Sequence, residues 1–202
     1  MPDLFDTLQN TQAPVLDVRR FLRRAGRLDT LFHVAQVNAA GRRLARRFGW
    51  RTLAAVDLAC IAHDLAAVVP ARSLVTTADA LGVPLSADDH AIPAVIHGPI
   101  AAAVLRQKLG VTDEDVLNAV HYHTTLRAGA SPLEQLVFIA DKIALDPASR
   151  DTGFQPALLA ACATAPLPEL CLIYLDWVVA VAPGLGWKIH PHARAARDEL
   201  MR

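Results

Sequence analysis

The stretch TLAAVDLACIAHDL, Thr52–Leu65, decides the fold. It is almost wholly apolar and ends on two adjacent ionisable residues, His63 and Asp64. Alanine and leucine favour helix, and a helix that is apolar all round is a buried one. The stretch therefore predicts the central helix of a bundle. An imidazole and a carboxylate at the end of such a helix need partners, because burial without them is costly. A metal ion would supply one.

On either side of this stretch the apolar residues also recur at helical spacing, and period-two alternation is nearly absent. A first helix is expected over about 15–25. A second starts at Asp29 as its N-cap, carries His33 in its first turn and stops near Gly49. Ser73–Leu81 reads as a helix closed by Gly82, and Ser86 as the cap of a short one. His97-Gly98-Pro99 leads into a helix ending at Lys108-Leu109-Gly110. Thr112 with Asp115 resembles a capping box for a helix running through His123. Ser131-Pro132-Leu133-Glu134 is a stronger start, with serine at N-cap, proline at N1 and glutamate at N3. In the helix it opens, Asp141 borders the apolar stripe. Two further helices are expected, roughly 168–182 and 191–201. The reading is an all-α fold: one domain over 1–202, with an N-terminal helical extension (1–28), a metal-binding core (29–145) and C-terminal helices (146–202).

The bulk composition narrows the class. With 202 residues, 53 % hydrophobic and 20 % charged, the chain is globular and large enough for one full core. Net charge is zero, which argues against nucleic acid as a partner. The charge is unevenly placed, however. Residues 19–51 hold ten arginines (Arg19, Arg20, Arg23, Arg24, Arg27, Arg42, Arg43, Arg46, Arg47, Arg51) against Asp29 alone. They are either two solvated helix faces or a positive rim that attracts a polyanion. Cys60, Cys162 and Cys171 lie in apolar surroundings without CxxC spacing and read as reduced core residues. MPDLFDTLQN has no secretory pattern, and Leu170–Pro183, broken by Asp176, reads as too short to span a bilayer. The expectation is a cytoplasmic protein with no membrane partner, for which a homodimer is an open arrangement.

Histidines and carboxylates fall in separate stretches that each read as helix: His33, the pair His63-Asp64, His97, His123 and Asp141. Helical bundles build metal sites this way. His33, His63, Asp64 and Asp141 would hold one ion; Asp64, His97 and His123 would hold a second, since a carboxylate can bridge. Nitrogen and oxygen ligands without cysteine favour a catalytic site over a closed structural one. The chemistry this suggests is metal-assisted hydrolysis of a phosphate ester or anhydride. His121 lies about 200° round a helix from His123 and is set aside as surface or supporting. His90 reads as exposed, His190 and His192 as a turn and helix start, and Trp50, Trp177 and Trp187 as core or interface anchors. Asp57 reads as a solvated face, with support of a ligand histidine as the alternative.

"IAHDLA" (Ile61–Ala66) resembles the histidine-aspartate doublet of the HD phosphohydrolase superfamily. "VIHGPIAA" (Val95–Ala102), "AVHYHTT" (Ala119–Thr125), "FIADKI" (Phe138–Ile143) and "KIHPHARAARDEL" (Lys188–Leu200) resemble its YqeK-type subfamily, the symmetrical diadenosine-tetraphosphate hydrolases. The resemblance implies an HD-domain bundle that cuts diadenosine tetraphosphate in the middle to give two ADP. It implies that His33, His63, Asp64 and Asp141 hold the principal metal, iron in the family, with manganese, cobalt or another divalent ion possible. His97 and His123 would face that metal as ligands of a second ion or as phosphate contacts, and Asp64, His97 and His123 would be the catalytic residues. Three positions depart from the subfamily: Ala67 where a lysine is usual, Thr30 where an arginine is common, and Leu126 where a glycine is common. Lys142, Arg127 and Arg150 are the candidate substrate contacts. The alternatives are an HD hydrolase of another nucleotide, a metal-binding regulatory protein without turnover, and an RNA- or ribosome-associated module.

Overall fold

The structure is a computed structural model that describes residues 4–145 and 153–202. Among the described residues eleven α-helices follow one another: α1 Pro14–Arg24, α2 Leu28–Arg47, α3 Ala54–Ala62, α4 Leu74–Ala80, α5 Ala87–Ala91, α6 His97–Leu109, α7 Glu114–His121, α8 Pro132–Ile143, α9 Gln155–Ala161, α10 Leu167–Leu185 and α11 Pro191–Leu200. No strand occurs among the described residues. The all-α expectation holds.

α3 is the central helix. Val56, Ala59, Cys60, Ile61 and Ala62 are buried, and α1, α2, α7 and α8 all pack against it. Its small residues permit close approach. At Gly41 on α2, an added Cβ would lie 2.7 Å from the Cys60 sulfur, so a side chain there would push α2 off α3. Arg42 grips Asp57 across the same interface with bonds of 2.5 and 2.6 Å. Asp57 is therefore neither free in solvent nor a support for a ligand histidine; it ties α2 to α3.

Several boundaries differ from the sequence expectation. α3 ends at Ala62, before the doublet, and a 3₁₀ turn Leu65–Val68 follows. Asp29 is the second residue of α2, after Arg27 as N-cap, and its carboxylate pairs with the Arg27 guanidinium. The cap of α7 is Asp113, whose side chain takes the Asp115 and Val116 amides; Thr112 plays no part, and α7 stops two residues short of His123. α9 was not anticipated, because a seven-residue helix with proline at its start carries little periodicity. The box at Ser131 forms as read, and Ser86 caps α5 as read, there also as a full box with Asp89. α10 is longer than expected. Its 19 residues, with mean hydropathy 1.4, are long and apolar enough to cross a membrane, yet it packs against α8, α9 and α11. Cys60 and Cys171 are buried thiols, and Cys162 is half-buried.

Leu126 stands at φ +57°, the left-handed region that favours glycine. A leucine there carries backbone strain of about 1–2 kcal/mol. Its side chain is 1 % exposed, so hydrophobic burial of similar or larger size offsets that strain.

Candidate metal centre

His33 and Asp141 lie in helix interiors, and the other four candidate ligands lie at or beyond helix ends. His63 follows the last residue of α3, Asp64 precedes the 3₁₀ turn, His97 opens α6, and His123 sits in the turn after α7. The helix ends have a use here, because backbone carbonyls near them lack intrahelical partners. His63 Nδ1 lies 2.9 Å from the Cys60 carbonyl, His97 Nδ1 2.6 Å from that of Ala94, and His123 Nδ1 2.8 Å from that of Val120. In each case the partner is the carbonyl three residues earlier. A carbonyl only accepts, so each Nδ1 carries the hydrogen and each Nε2 is left with a free electron pair. Second partners of this kind orient ligand histidines in metal sites.

The six side chains form two halves that share Asp64. On one side, Asp64 Oδ2 is 3.5 Å from His63 Nε2 and 3.7 Å from His33 Nε2. Asp141 Oδ1 joins this half, 3.0 Å from His33 Nε2 and 3.7 Å from His63 Nε2. On the other side, Asp64 Oδ1 is 3.2 Å from His97 Nε2 and 3.6 Å from His123 Nε2. Ligand atoms of His33, His63 and Asp64, and again of Asp64, His97 and His123, lie within 4.8 Å of one another. His97 and His123 are brought together by Gly98: a Cβ there would sit 2.4 Å from the His121 carbonyl oxygen, so α6 abuts the end of α7 as only glycine allows.

The donor set fits divalent ions on two observations. His63 Nε2 is fully buried, aimed into the cluster and without a hydrogen-bond partner among the described residues. His97 and His123 Nε2 lie 2.9 Å apart although both Nδ1 atoms already hold hydrogens. Two electron pairs facing each other repel, and a cation between them removes the repulsion. The carboxylates are ready anions. Burial acts to raise Asp64, but the neighbouring His63 and His97 hold it well below the usual carboxylate range. Asp141 is likewise held far below it, burial being outweighed by Lys142 and by the hydrogen bond from His33. Burial and the neighbouring His63 and His97 push His123 well below an ordinary histidine.

The cluster lies on the wall of a cavity of about 1200 Å³. Lys142 reaches that wall, but it is 4 % exposed, and its Nζ donates to Asp141 Oδ2 at 2.6 Å and to the His123 carbonyl at 3.3 Å. It fixes Asp141 while adding positive charge beside the site. Arg127 is placed elsewhere: it pairs with buried Glu134 at 2.7 and 2.8 Å and lies over the Tyr122 ring. Arg150 lies outside the described residues. Sequence reasoning missed Thr124, Gln155 and Tyr174 and named Arg27 only as one of ten arginines of a positive rim; all four are on the cavity wall. Thr124, in "HTT", was within reach of the motif; its hydroxyl is 3.2 Å from His123 Nε2.

Comparison with known proteins agrees with this geometry. An uncharacterised protein in the pepC 5′ region of Lactococcus lactis is 31 % identical over 144 residues, 71 % of each chain. A Bacillus subtilis protein named symmetrical bis(5′-nucleosyl)-tetraphosphatase is 34 % identical over 111 residues, which are 55 % of this chain and 59 % of that protein's length. The crystal structure of a predicted HD superfamily hydrolase involved in NAD metabolism from Clostridium acetobutylicum superposes with a TM-score of 0.82 at 25 % identity, covering 91 % of this chain and 95 % of the other. The doublet at the broken end of α3 lies within residues 30–146, the span matched by the family model, and the chain belongs to the HD domain family.

Proposed function

We propose that this chain is a metal-dependent phosphohydrolase that cuts diadenosine tetraphosphate at its central anhydride to give two ADP. The observation that carries the reading is the carboxylate of Asp64, with one oxygen turned to each half of the cluster. His33, His63, Asp64 and Asp141 hold the principal ion, and Asp64, His97 and His123 hold a second or contact phosphate directly. We take the principal ion to be iron, with manganese or cobalt able to replace it, and the setting to be cytoplasmic. Bound there, such ions supply Lewis acidity toward a phosphoryl oxygen and toward water.

The chain's own groups do the remainder. Asp64 and Asp141 stay ionised at neutral pH and neutralise cationic charge. Carbonyls of Cys60, Ala94 and Val120 lock three imidazoles in one orientation, so little reorganisation is needed at the moment of reaction. Thr124 offers a hydroxyl beside His123. Overall, water adds to one central phosphorus, the bond from that phosphorus to the bridging oxygen breaks, and the second ADP departs with that oxygen.

Relatives named symmetrical bis(5′-nucleosyl)-tetraphosphatase, at 34 % identity in Bacillus subtilis and 30 % in Halalkalibacterium halodurans, support the choice of substrate. The test is incubation of the iron-loaded protein with diadenosine tetraphosphate and separation of the products by ion-exchange chromatography. ADP alone is expected. AMP with ATP refutes the central cut, and absence of turnover with iron, manganese and cobalt favours a metal-binding regulatory protein.

A further inference from the structure

Of the ten arginines between residues 19 and 51, two line the metal-centre cavity: Arg27 and Arg43. Both belong to α2, Arg27 as its N-cap. His33 lies between them. At the rise of a helix, Arg27 is about 9 Å from His33 along the axis in one direction and Arg43 about 15 Å in the other. Their surroundings confirm that they stand at opposite ends. Arg27 Nη1 donates to the carbonyl of Ala67, beside the turn that carries Asp64. Arg43 reaches the far end, where its charge is felt by Cys162 just after α9.

The two cations differ in freedom. Arg27 is tethered by Ala67 and by Asp29, at 3.3 and 3.2 Å. A guanidinium has five N–H groups, so two remain for a ligand, held in a fixed plane. Arg43 is exposed and makes no hydrogen bond among the described residues. A monoester occupying the metal centre would leave both arginines unused. A phosphate chain that continues on both sides of the bond being cut would meet one arginine with each arm.

We propose that Arg27 and Arg43 are the two substrate-binding cations that grip opposite arms of a polyphosphate running across the metal centre. They thereby select substrates extended on both sides of the scissile bond and place its midpoint at Asp64. The proposal rests on the hydrolase reading above and names the residues that would set its specificity. It also gives Ala67 a part: the backbone there, rather than a side chain, holds a cation in place.

The experiment compares Arg27→Ala, Arg43→Ala and the double variant with the wild-type holoenzyme. For diadenosine tetraphosphate, kcat/KM should fall about tenfold for each and about a hundredfold for both, the size of one charge-assisted hydrogen bond per arm. The loss on p-nitrophenyl phosphate, which has no arms, should be at least tenfold smaller. Arg43→Lys should recover most of the loss because a point charge suffices there. Arg27→Lys should not, since a lysine cannot hold Ala67 and Asp29 as the fork does. Arg19→Ala and Arg46→Ala, exposed and outside the cavity, report any general effect of charge. Calorimetric binding of inorganic tripolyphosphate to the same proteins should weaken in parallel. Equal losses on both substrates, or tripolyphosphate binding indifferent to both arginines, overturn the proposal. A wild type that leaves diadenosine tetraphosphate intact yet binds tripolyphosphate through both arginines refutes the hydrolase reading and keeps the grip.

Discussion

Two clusters of histidines and acids lie on either side of Thr124, which lines both cavities. One is the candidate metal centre. The other, beside a cavity of about 450 Å³, contains Asp89, His121, His190 and His192. By composition they are close equivalents; by orientation they are opposites. In the metal centre, helix-end carbonyls occupy the Nδ1 atoms and the Nε2 electron pairs converge on Asp64. In the second cluster the groups turn to local partners rather than to a common point, although His190 Nε2 is buried without a hydrogen bond among the described residues. His190 Nδ1 accepts the His192 amide as the cap of α11, and its Nε2 lies 3.3 Å from Asp89. Asp89 closes the box with Ser86. His121 stacks on Tyr122 at 4.1 Å, and His192 meets the same ring edge-on. What makes a metal site is therefore the direction of spare electron pairs, more than the residue types gathered.

The largest expected effect would break this comparison outright. Asp64→Ala removes the oxygens facing both halves, so metal content should drop below a tenth and turnover by at least about a thousandfold. His190→Ala, in the look-alike cluster, should leave metal content intact while costing about 1 kcal/mol through loss of the α11 cap. Elemental analysis with thermal unfolding checks both, and metal lost from the His190 variant would erase the distinction.

A smaller effect sharpens the division within the metal centre. His97→Ala and His123→Ala should lower turnover about ten- to a hundredfold while His33, His63, Asp64 and Asp141 keep the principal ion. If either variant loses all metal, the six residues form one indivisible site and the two-halves description fails.

The smallest effect concerns acid. Burial pushes His121 down to about 4, and burial with neighbouring His190 lowers His192. Both are neutral when folded but take protons more readily when unfolded. Their contribution to stability is thus present above the ordinary histidine value, near 6.5, and is lost as pH falls from there toward the folded value. Urea unfolding between pH 7 and pH 5 should show falling stability, and His192→Gln should flatten the slope. An unaltered slope would mean the second cluster is not protected from protons as its burial implies.

The six ligand candidates were legible from residue type, order and motif, and the helix content from periodicity and caps. Orientation was not legible. The letters put His63 at the end of one helix and His97 at the start of another, but they leave His123 inside its helix and do not show each ring set on the carbonyl three residues back; the same histidines inside helices would have met carbonyls already paired. Arg127 and Arg27 illustrate the limit for long side chains. Arg127 follows a motif but is taken by Glu134, seven residues on. Arg27 precedes any motif, and only the fold brings it to Ala67, forty residues away. Leu126 shows the converse: the sequence marks an unusual residue, while the +57° dihedral explains why glycine would suit the position.

The contact at Gly98 has a mechanical side. With an α-hydrogen where other residues carry a methyl group, α6 rests directly on the last carbonyls of α7, and the gap between His97 and His123 is set by backbone touching backbone. Such a stop cannot be compressed. It works as a gauge block for the open half of the site, so the radius of any ion held there would be chosen by a residue that offers no donor atom of its own. Alanine at that position would act as a shim, widening the jaw toward larger cations while the half built on α2, α3 and α8 kept its bore.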